Sequence, residues 1–191
     1  MAFLDNPNDF QDEKNVGFSQ VVIKYGLISA AVSIISSLVM SLTKLSTASL
    51  GAQIPVFAVL LAVSIYILIL EVREHRDKDL GGFISFGRVF IIILIALVIS
   101  GIIGGIFQYV YFNYINPHAM EEVLEAQREM VEKIANWARL PEDQIEAQMD
   151  AAKATMQSPA FILQTAVGSI FGGSIIAVIL AAILKKPRTT Y

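Results

Sequence analysis

Residues 89–115 read VFIIILIALVISGIIGGIFQYVYFNYI, a run of 27 positions without a charged side chain. At 1.5 Å per residue, a helix of this length crosses the roughly 30 Å hydrocarbon core of a bilayer. A charge at the centre of such a helix costs about 2.5 kcal/mol on the mildest insertion scale, so lipid favours its absence. The stretch therefore predicts a transmembrane helix.

Three further apolar runs of spanning length flank this stretch, over residues 21–42, 54–70 and 160–184. Hydrophobic residues make up 55% of the 191 residues and charged residues 16%, and the mean hydropathy is +0.62. These values lie outside the usage of soluble proteins. The predicted fold class is an all-α polytopic membrane protein with four transmembrane helices. The chain has no cysteine, which excludes a disulfide framework and a thiolate metal site.

Residues 117–158, between the third and fourth runs, have the period of amphipathic helices. Apolar side chains recur at spacings of three and four residues, first over residues 120–138 and then over residues 145–156. Asn116 supplies an N-cap for the first helix, and Pro141 separates the two because the residue before a proline avoids helical angles. We predict an extramembrane helical hairpin here.

Basic residues near helix ends predict the orientation of the chain, because lysine and arginine favour the cytoplasmic side. With both termini in the cytoplasm, nine of the fourteen basic residues lie on that side: Lys14, Lys24, Arg73, Arg76, Lys78, Arg88, Lys185, Lys186 and Arg188. The first twenty residues are acidic and polar, so we expect no cleaved signal peptide. The predicted segments are a cytoplasmic N-terminus (1–20), transmembrane helices one to three (21–116), the outer hairpin (117–158), transmembrane helix four (159–185) and a cytoplasmic tail (186–191).

Residues 73–90, REHRDKDLGGFISFGRVF, concentrate charge between the second and third runs. We interpret them as a short cytoplasmic turn in which Gly81 and Gly82 permit the change of direction, the basic side chains anchor the helix ends and His75 is solvated. A functional alternative is an anionic lipid site, since clustered basic residues gain about 1 kcal/mol each near an anionic leaflet. Its contacts would be Arg73, Arg76, Lys78 and Arg88.

The aromatic residues of 107–114, FQYVYFNY, follow at the other end of the third run. Aromatic belts lie at head-group depth, so we expect these rings to mark the outer membrane interface.

Small residues in three of the runs predict helix contacts, because helices in lipid associate where their backbones approach closely. The rows contain Ser29, Ser33 and Ser36 in helix one, Gly101, Gly105 and Gln108 in helix three, and Gln164, Gly168 and Gly172 in helix four. For antiparallel helices three and four, we expect Gly101 against Gly172, Gly105 against Gly168 and Gln108 against Gln164. If these faces point apart, the rows serve oligomer contacts. In the alternative interpretation, the serines and glutamines line a polar cavity.

No catalytic signature occurs in the chain: HExxH, a phosphate-binding glycine loop and a Gly-x-Ser-x-Gly elbow are all missing. His118 stands three residues before Glu121, but two ligands do not make a metal site. The interiors of the apolar runs lack the charged residue that ion-coupled transporters commonly keep. We therefore expect no catalytic residue, cofactor, metal site or nucleic-acid partner.

Five segments together resemble one family of proteins. They are RDKDLGGFISFGRVF (76–90), YFNYINPHAMEEVLE (111–125), PEDQIEAQM (141–149), SPAF (158–161) and the terminal lysine pair. Over nearly its whole length the chain resembles the small four-helix membrane proteins of Bacteroidota catalogued as a domain of unknown function. The resemblance implies an inner-membrane location with the outer segment in the periplasm, and it brings no catalytic residues.

The leading functional hypothesis is a non-enzymatic accessory or assembly protein. It would contact membrane lipid and bind other membrane or periplasmic proteins, or further copies of itself, through the hairpin and the glycine rows. The alternative is a small oligomeric transporter or channel, with Ser33, Ser36, Gln108 and Gln164 lining its route.

Overall fold

The computed structural model describes residues 20–43, 50–138 and 141–187. Most of the predicted terminal segments 1–20 and 186–191, including Lys14 and Arg188, lies outside this part. The described part has six α-helices: α1 (Gln20–Leu42), α2 (Leu50–Asp79), α3 (Phe86–Val110), α4 (Pro117–Ala138), α5 (Glu142–Gln157) and α6 (Ala160–Leu184).

Four of these helices, α1, α2, α3 and α6, are long and apolar enough to cross a membrane. The predicted all-α polytopic membrane fold is therefore confirmed. A π-helical turn, Tyr111–Ile115, extends α3 at its C-terminal end.

Helix α3 is the centre of the bundle, with α6 packed along most of its length and α1 against another side. The main core joins Val22 of α1, Leu68 of α2, Ile92 of α3 and Ala177 of α6. Helix α2 enters this core only through its C-terminal half. Its N-terminal half is left to the lipid, as Ile54 at 64% exposure illustrates.

The close packing of α3 on α6 rests on glycines of both helices. A Cβ atom on Gly101 would lie 2.8 Å from Cα of Ala166, and one on Gly105 would lie 3.1 Å from Cα of Ile162. A side chain at Gly101 would require the neighbouring residues to shift, and one at Gly105 would be tight, so the two backbones approach as small residues in lipid permit. Ser169 Oγ of α6 donates to the carbonyl oxygen of Leu97 across this contact at 3.1 Å.

The outer helices α4 and α5 contact each other and join the bundle through an aromatic cluster. Tyr111 and Phe112 are buried there with Phe161 of α6 and Met156 of α5. Asn113 Nδ2 donates to the carbonyl oxygen of Met156 at 3.0 Å. The prediction that these rings mark the lipid interface is wrong for Tyr111 and Phe112, because they close the core under the hairpin.

The surface of the outer helices carries ion pairs within α4. Arg128 Nε donates to Glu132 Oε1 at 2.8 Å, and this hydrogen bond raises the pKa of Arg128. Asn116 Oδ1 accepts from the backbone N–H of Ala119 at 3.3 Å, so the predicted N-cap of α4 is confirmed.

Candidate functional site

The C-terminal end of α2 is the part of the structure that differs most from the prediction made from the sequence. The apolar run ends at Leu70, but the helix continues to Asp79, and residues 80–85 alone form the turn to α3. The predicted charged turn is thus largely helical. Because helical residues three and four apart share a face, Glu71 and His75 continue the stripe that begins with Ile67 and Leu68.

Four polar side chains are buried where this stripe meets α3, and we call them the buried polar cluster. The accessible fraction is 0% for Glu71 and His75, 1% for Ser85 and 8% for Arg88. Fully buried ionisable groups are uncommon in proteins and are normally paired. The cluster is therefore the strongest candidate for a functional site in the described part of the chain.

His75 connects an arginine of α3 to a carboxylate of its own helix. Arg88 Nε donates to His75 Nε2 at 3.2 Å, and His75 Nδ1 lies 2.7 Å from Asp79 Oδ2. Arginine has donors only, so Nε2 must accept and the ring proton lies on Nδ1, from which it is donated to Asp79. His75 is consequently a neutral imidazole between a guanidinium and a carboxylate.

The turn before α3 holds Arg88 in place. Gly81 and Gly82 have φ values of 65° and 91°, which confirms the prediction that this turn needs backbone angles favoured by glycine. Ser85 then caps α3, its Oγ accepting from the backbone N–H of Arg88 at 3.2 Å. The backbones of Ile84 and Lys186 exchange two hydrogen bonds, of 3.0 and 2.8 Å, and so tie the turn to the end of α6.

Glu71 differs from the other members because neither carboxyl oxygen has a hydrogen-bond partner within the described ranges. Its sequence neighbours Leu68 and Val72 belong to the main core, and Ile67 and Leu70 to a second apolar cluster with Val21 and Tyr25 of α1. An unpaired carboxylate in such surroundings is strongly destabilising.

Glu74, one turn further along α2, is paired instead. Lys24 Nζ lies 2.8 Å from Glu74 Oε2, Lys78 Nζ lies 2.8 Å from Glu74 Oε1, and the hydroxyl of Tyr25 donates to Oε2 at 2.7 Å. Lys24 therefore joins α1 to α2 at the bundle surface.

The four predicted lipid contacts separate into two groups. Arg73 and Lys78 are exposed, and Arg76 is half-buried and pairs with Asp77 at 2.7 Å. Arg88 is buried against His75 and does not reach a head group, so its assignment to a lipid site is wrong. The expected solvation of His75 is wrong for the same reason.

The predicted pairing of α3 and α6 glycines is wrong in register. Gly101 and Gly105 face α6, but they meet Ala166, Ser169, Ile162 and Thr165 instead of glycines. A Cβ on Gly168 or Gly172 would have no atom within 4 Å, because both residues lie on the outward side of the helix. Gln164 is exposed on the same side.

The remaining residues of the predicted rows occupy separate environments. Ser33 faces α3, where its Oγ lies 3.2 Å from the position of a Cβ on Gly104. Ser36 Oγ donates to Val32 O within α1 at 2.7 Å, and Ser29 and Gln108 are half-buried. Because Gln164 points outward, Ser33, Ser36, Gln108 and Gln164 do not line one route within a single copy.

Sequence reasoning missed Glu71 and His75 because it treated a charged stretch as solvated. The available signal was helical phase: Ile67, Leu68, Glu71, Val72 and His75 follow the spacing of one buried face. His118 and Glu121 do lie close, at 3.4 Å, but the described residues bring no third His, Cys, Asp or Glu to form a metal-binding group.

A family model described as "Protein of unknown function (DUF4199)" matches residues 24–186. No curated protein and no solved structure matches the chain. The matched range contains the buried polar cluster and all four predicted transmembrane segments except the first residues of α1.

Proposed function

The chain belongs to this family, whose description assigns no activity, and we propose that it is a non-enzymatic accessory protein of the inner membrane. In this proposal both termini are cytoplasmic, the hairpin of α4 and α5 is periplasmic, and the protein acts by binding transmembrane helices on one face of α6.

The observation that carries the proposal is the open face of α6, formed by Gln164, Gly168, Phe171, Gly172 and Ile175. Gly168 and Gly172 have nothing within 4 Å of a Cβ position, while Phe171 and Ile175 beside them are 76% and 68% exposed. Two glycines four residues apart, between bulky side chains, leave a shallow groove in which a second helix can approach the backbone closely.

A second copy of the chain fits this groove. A two-fold axis along the membrane normal would bring the two α6 helices together in parallel at Gly168 and Gly172, the arrangement that Gly-x-x-x-Gly pairs favour. The same axis would bring the two Gln164 side chains near each other. An amide has both donors and an acceptor, so this contact is self-complementary.

Single-cysteine crosslinking tests the proposal, since the chain has no cysteine of its own. Gly168→Cys and Gly172→Cys fit the open space and should crosslink to a second copy, or to a helix of another membrane protein, in native membranes. Val59→Cys on α2 is a matched control because Val59 is 63% exposed but lies away from α6. Monomers alone at all three positions would contradict binding through this face.

A small oligomeric transporter or channel is the second candidate, and the buried polar cluster favours it. Ionisable side chains buried between transmembrane helices commonly belong to ion or proton pathways. Reconstitution of the protein in vesicles that contain a pH-sensitive dye tests this candidate. A proton flux that requires Glu71 would support it, and vesicles as tight as empty ones would oppose it.

A further inference from the structure

Glu71 is buried on the face of α2 that packs into the bundle, and this placement raises the question of what satisfies its charge. Its carboxyl group is inaccessible to solvent, and both oxygens are unpaired within the described ranges. The chain around it is apolar on both sides, with Leu68 and Val72 in one cluster and Ile67 and Leu70 in or against another.

Four cations near this end of the bundle have partners. Lys24 and Lys78 contact Glu74, Arg76 contacts Asp77, and Arg88 donates to His75. His75, which accepts from Arg88, in turn donates to the carboxylate of Asp79. An ionised Glu71 would therefore add a buried negative charge that none of these groups compensates.

We propose that Glu71 is a proton-binding site, and that its carboxyl group carries a proton whenever α2 is packed against α1 and α3 as in the structure. A neutral carboxylic acid is far less costly to bury than a carboxylate. Release transfers the proton from the carboxyl oxygen to water, and it requires α2 to move so that water reaches the resulting carboxylate. The proposal does not depend on the open face of α6.

Helix α2 is suited to such a movement because its attachment is local. Its N-terminal half is largely exposed, and among the described residues it is the C-terminal half that packs into the core. Tyr25 of α1 interacts electrostatically with Glu71, and the other charged or titratable groups at this end of the bundle include Lys24 on α1, Arg73, Glu74 and His75 on α2, and Arg88 on α3.

The direction of the pH effect follows from the burial. The unfolded chain releases the Glu71 proton well below neutral pH, whereas the packed structure retains it. Stability that depends on the proton is therefore present at acidic pH and is lost as the pH rises. Removal of the ionisable group should remove this dependence.

Infrared spectroscopy of the purified full chain in detergent tests the proposal directly, because a protonated carboxyl group has a carbonyl stretching band that a carboxylate lacks. We expect this band at neutral pH in the natural protein and its loss in Glu71→Gln, which keeps the shape of the neutral acid. Glu74→Gln is the matched control: Glu74 is ion-paired, so the band should remain in this variant.

Thermal unfolding provides the second readout. The midpoint for the natural protein should fall from mildly acidic to mildly alkaline pH, and the fall should be smaller in Glu71→Gln. A band that is missing from the natural protein at neutral pH, or that survives in Glu71→Gln, would show that Glu71 is ionised or that another group carries the proton. Either result overturns the proposal and leaves the crosslinking test of α6 unaffected.

Discussion

Arg88 is the residue on which the hydrogen bonds of the buried polar cluster depend. Its backbone N–H donates a hydrogen bond to Ser85 Oγ, and its side chain donates to His75 Nε2 and so fixes the tautomer of the imidazole. His75 in turn donates from Nδ1 to Asp79. Buried groups that lose a partner cost about 1–3 kcal/mol each, while exposed charged residues usually contribute little. Two arginines of the same charged stretch should therefore respond differently to substitution.

We expect Arg88→Ala to lower the free energy of unfolding by about 1–3 kcal/mol, because it leaves Nε2 of buried His75 without its donor. Arg73→Ala is the matched control, since Arg73 is exposed, and should change that free energy by less than about 0.5 kcal/mol. Denaturant unfolding in mixed micelles, followed by circular dichroism, measures both. Equal effects of the two substitutions would contradict the role assigned to Arg88.

For single residues, the sequence-based predictions were correct where local backbone preferences determine the conformation. The Gly81-Gly82 pair indicated a turn because positive φ angles are a local demand of the backbone. The burial of Glu71 and His75 could not be read from composition, because it is caused by the packing of α2 against α1 and α3. Hydropathy predicts that a charged residue is exposed to water, whereas its position in the helical repeat predicts which face of the helix it lies on.

For whole elements, the bounds of α1 and α6 were predictable because each begins and ends where the apolar run meets polar residues. The end of α2 was not predictable, because Glu, Arg, His and Lys are unfavourable in lipid but are compatible with an α-helix. The contact between α3 and α6 was predicted from small residues, but its register was not. The residues of α6 that Gly101 and Gly105 meet lie three and six positions before the predicted Gly172 and Gly168, on a different side of the helix, which leaves both glycines pointing outward.

Because Gly101 is in close contact and Gly168 is not, alanine substitutions at the two positions should have different effects on stability. Gly101→Ala should destabilise the protein by about 1–3 kcal/mol, because its Cβ would lie 2.8 Å from the backbone of Ala166. Gly168→Ala has open space and should leave stability unchanged or raise it by up to about 1 kcal/mol through helix propensity. The same unfolding measurement in micelles compares the two variants.

Comparable losses in Gly101→Ala and Gly168→Ala that do not depend on protein concentration would contradict this contrast between the two glycines. A concentration-dependent loss in Gly168→Ala alone would locate the effect in association between copies, in line with the proposed contact. Gly172→Ala should behave as Gly168→Ala does, because its Cβ position is equally open.

At the scale of the molecule, the α2–α3 turn and the end of α6 lie together at one end of the bundle. The paired backbones of Ile84 and Lys186 hold the α2–α3 turn against the end of α6. The full length of α3, at 1.5 Å per residue, separates this turn from α4 and α5. The basic residues near the turn predict that this side is the cytoplasmic one.

Single-cysteine variants of the cysteine-free chain test this arrangement in intact cells. Lys78→Cys and Lys186→Cys should both be protected from a thiol reagent that cannot cross the inner membrane, since both residues are exposed on the predicted cytoplasmic side. Lys153→Cys, exposed on α5, should react. The positive-inside preference opposes the transfer of these basic groups across the bilayer. Reaction at Lys78→Cys together with protection at Lys153→Cys would therefore show that the orientation is the reverse of the predicted one. Opposite behaviour of Lys78→Cys and Lys186→Cys would contradict the bridge between Ile84 and Lys186, and with it the packing that buries Arg88.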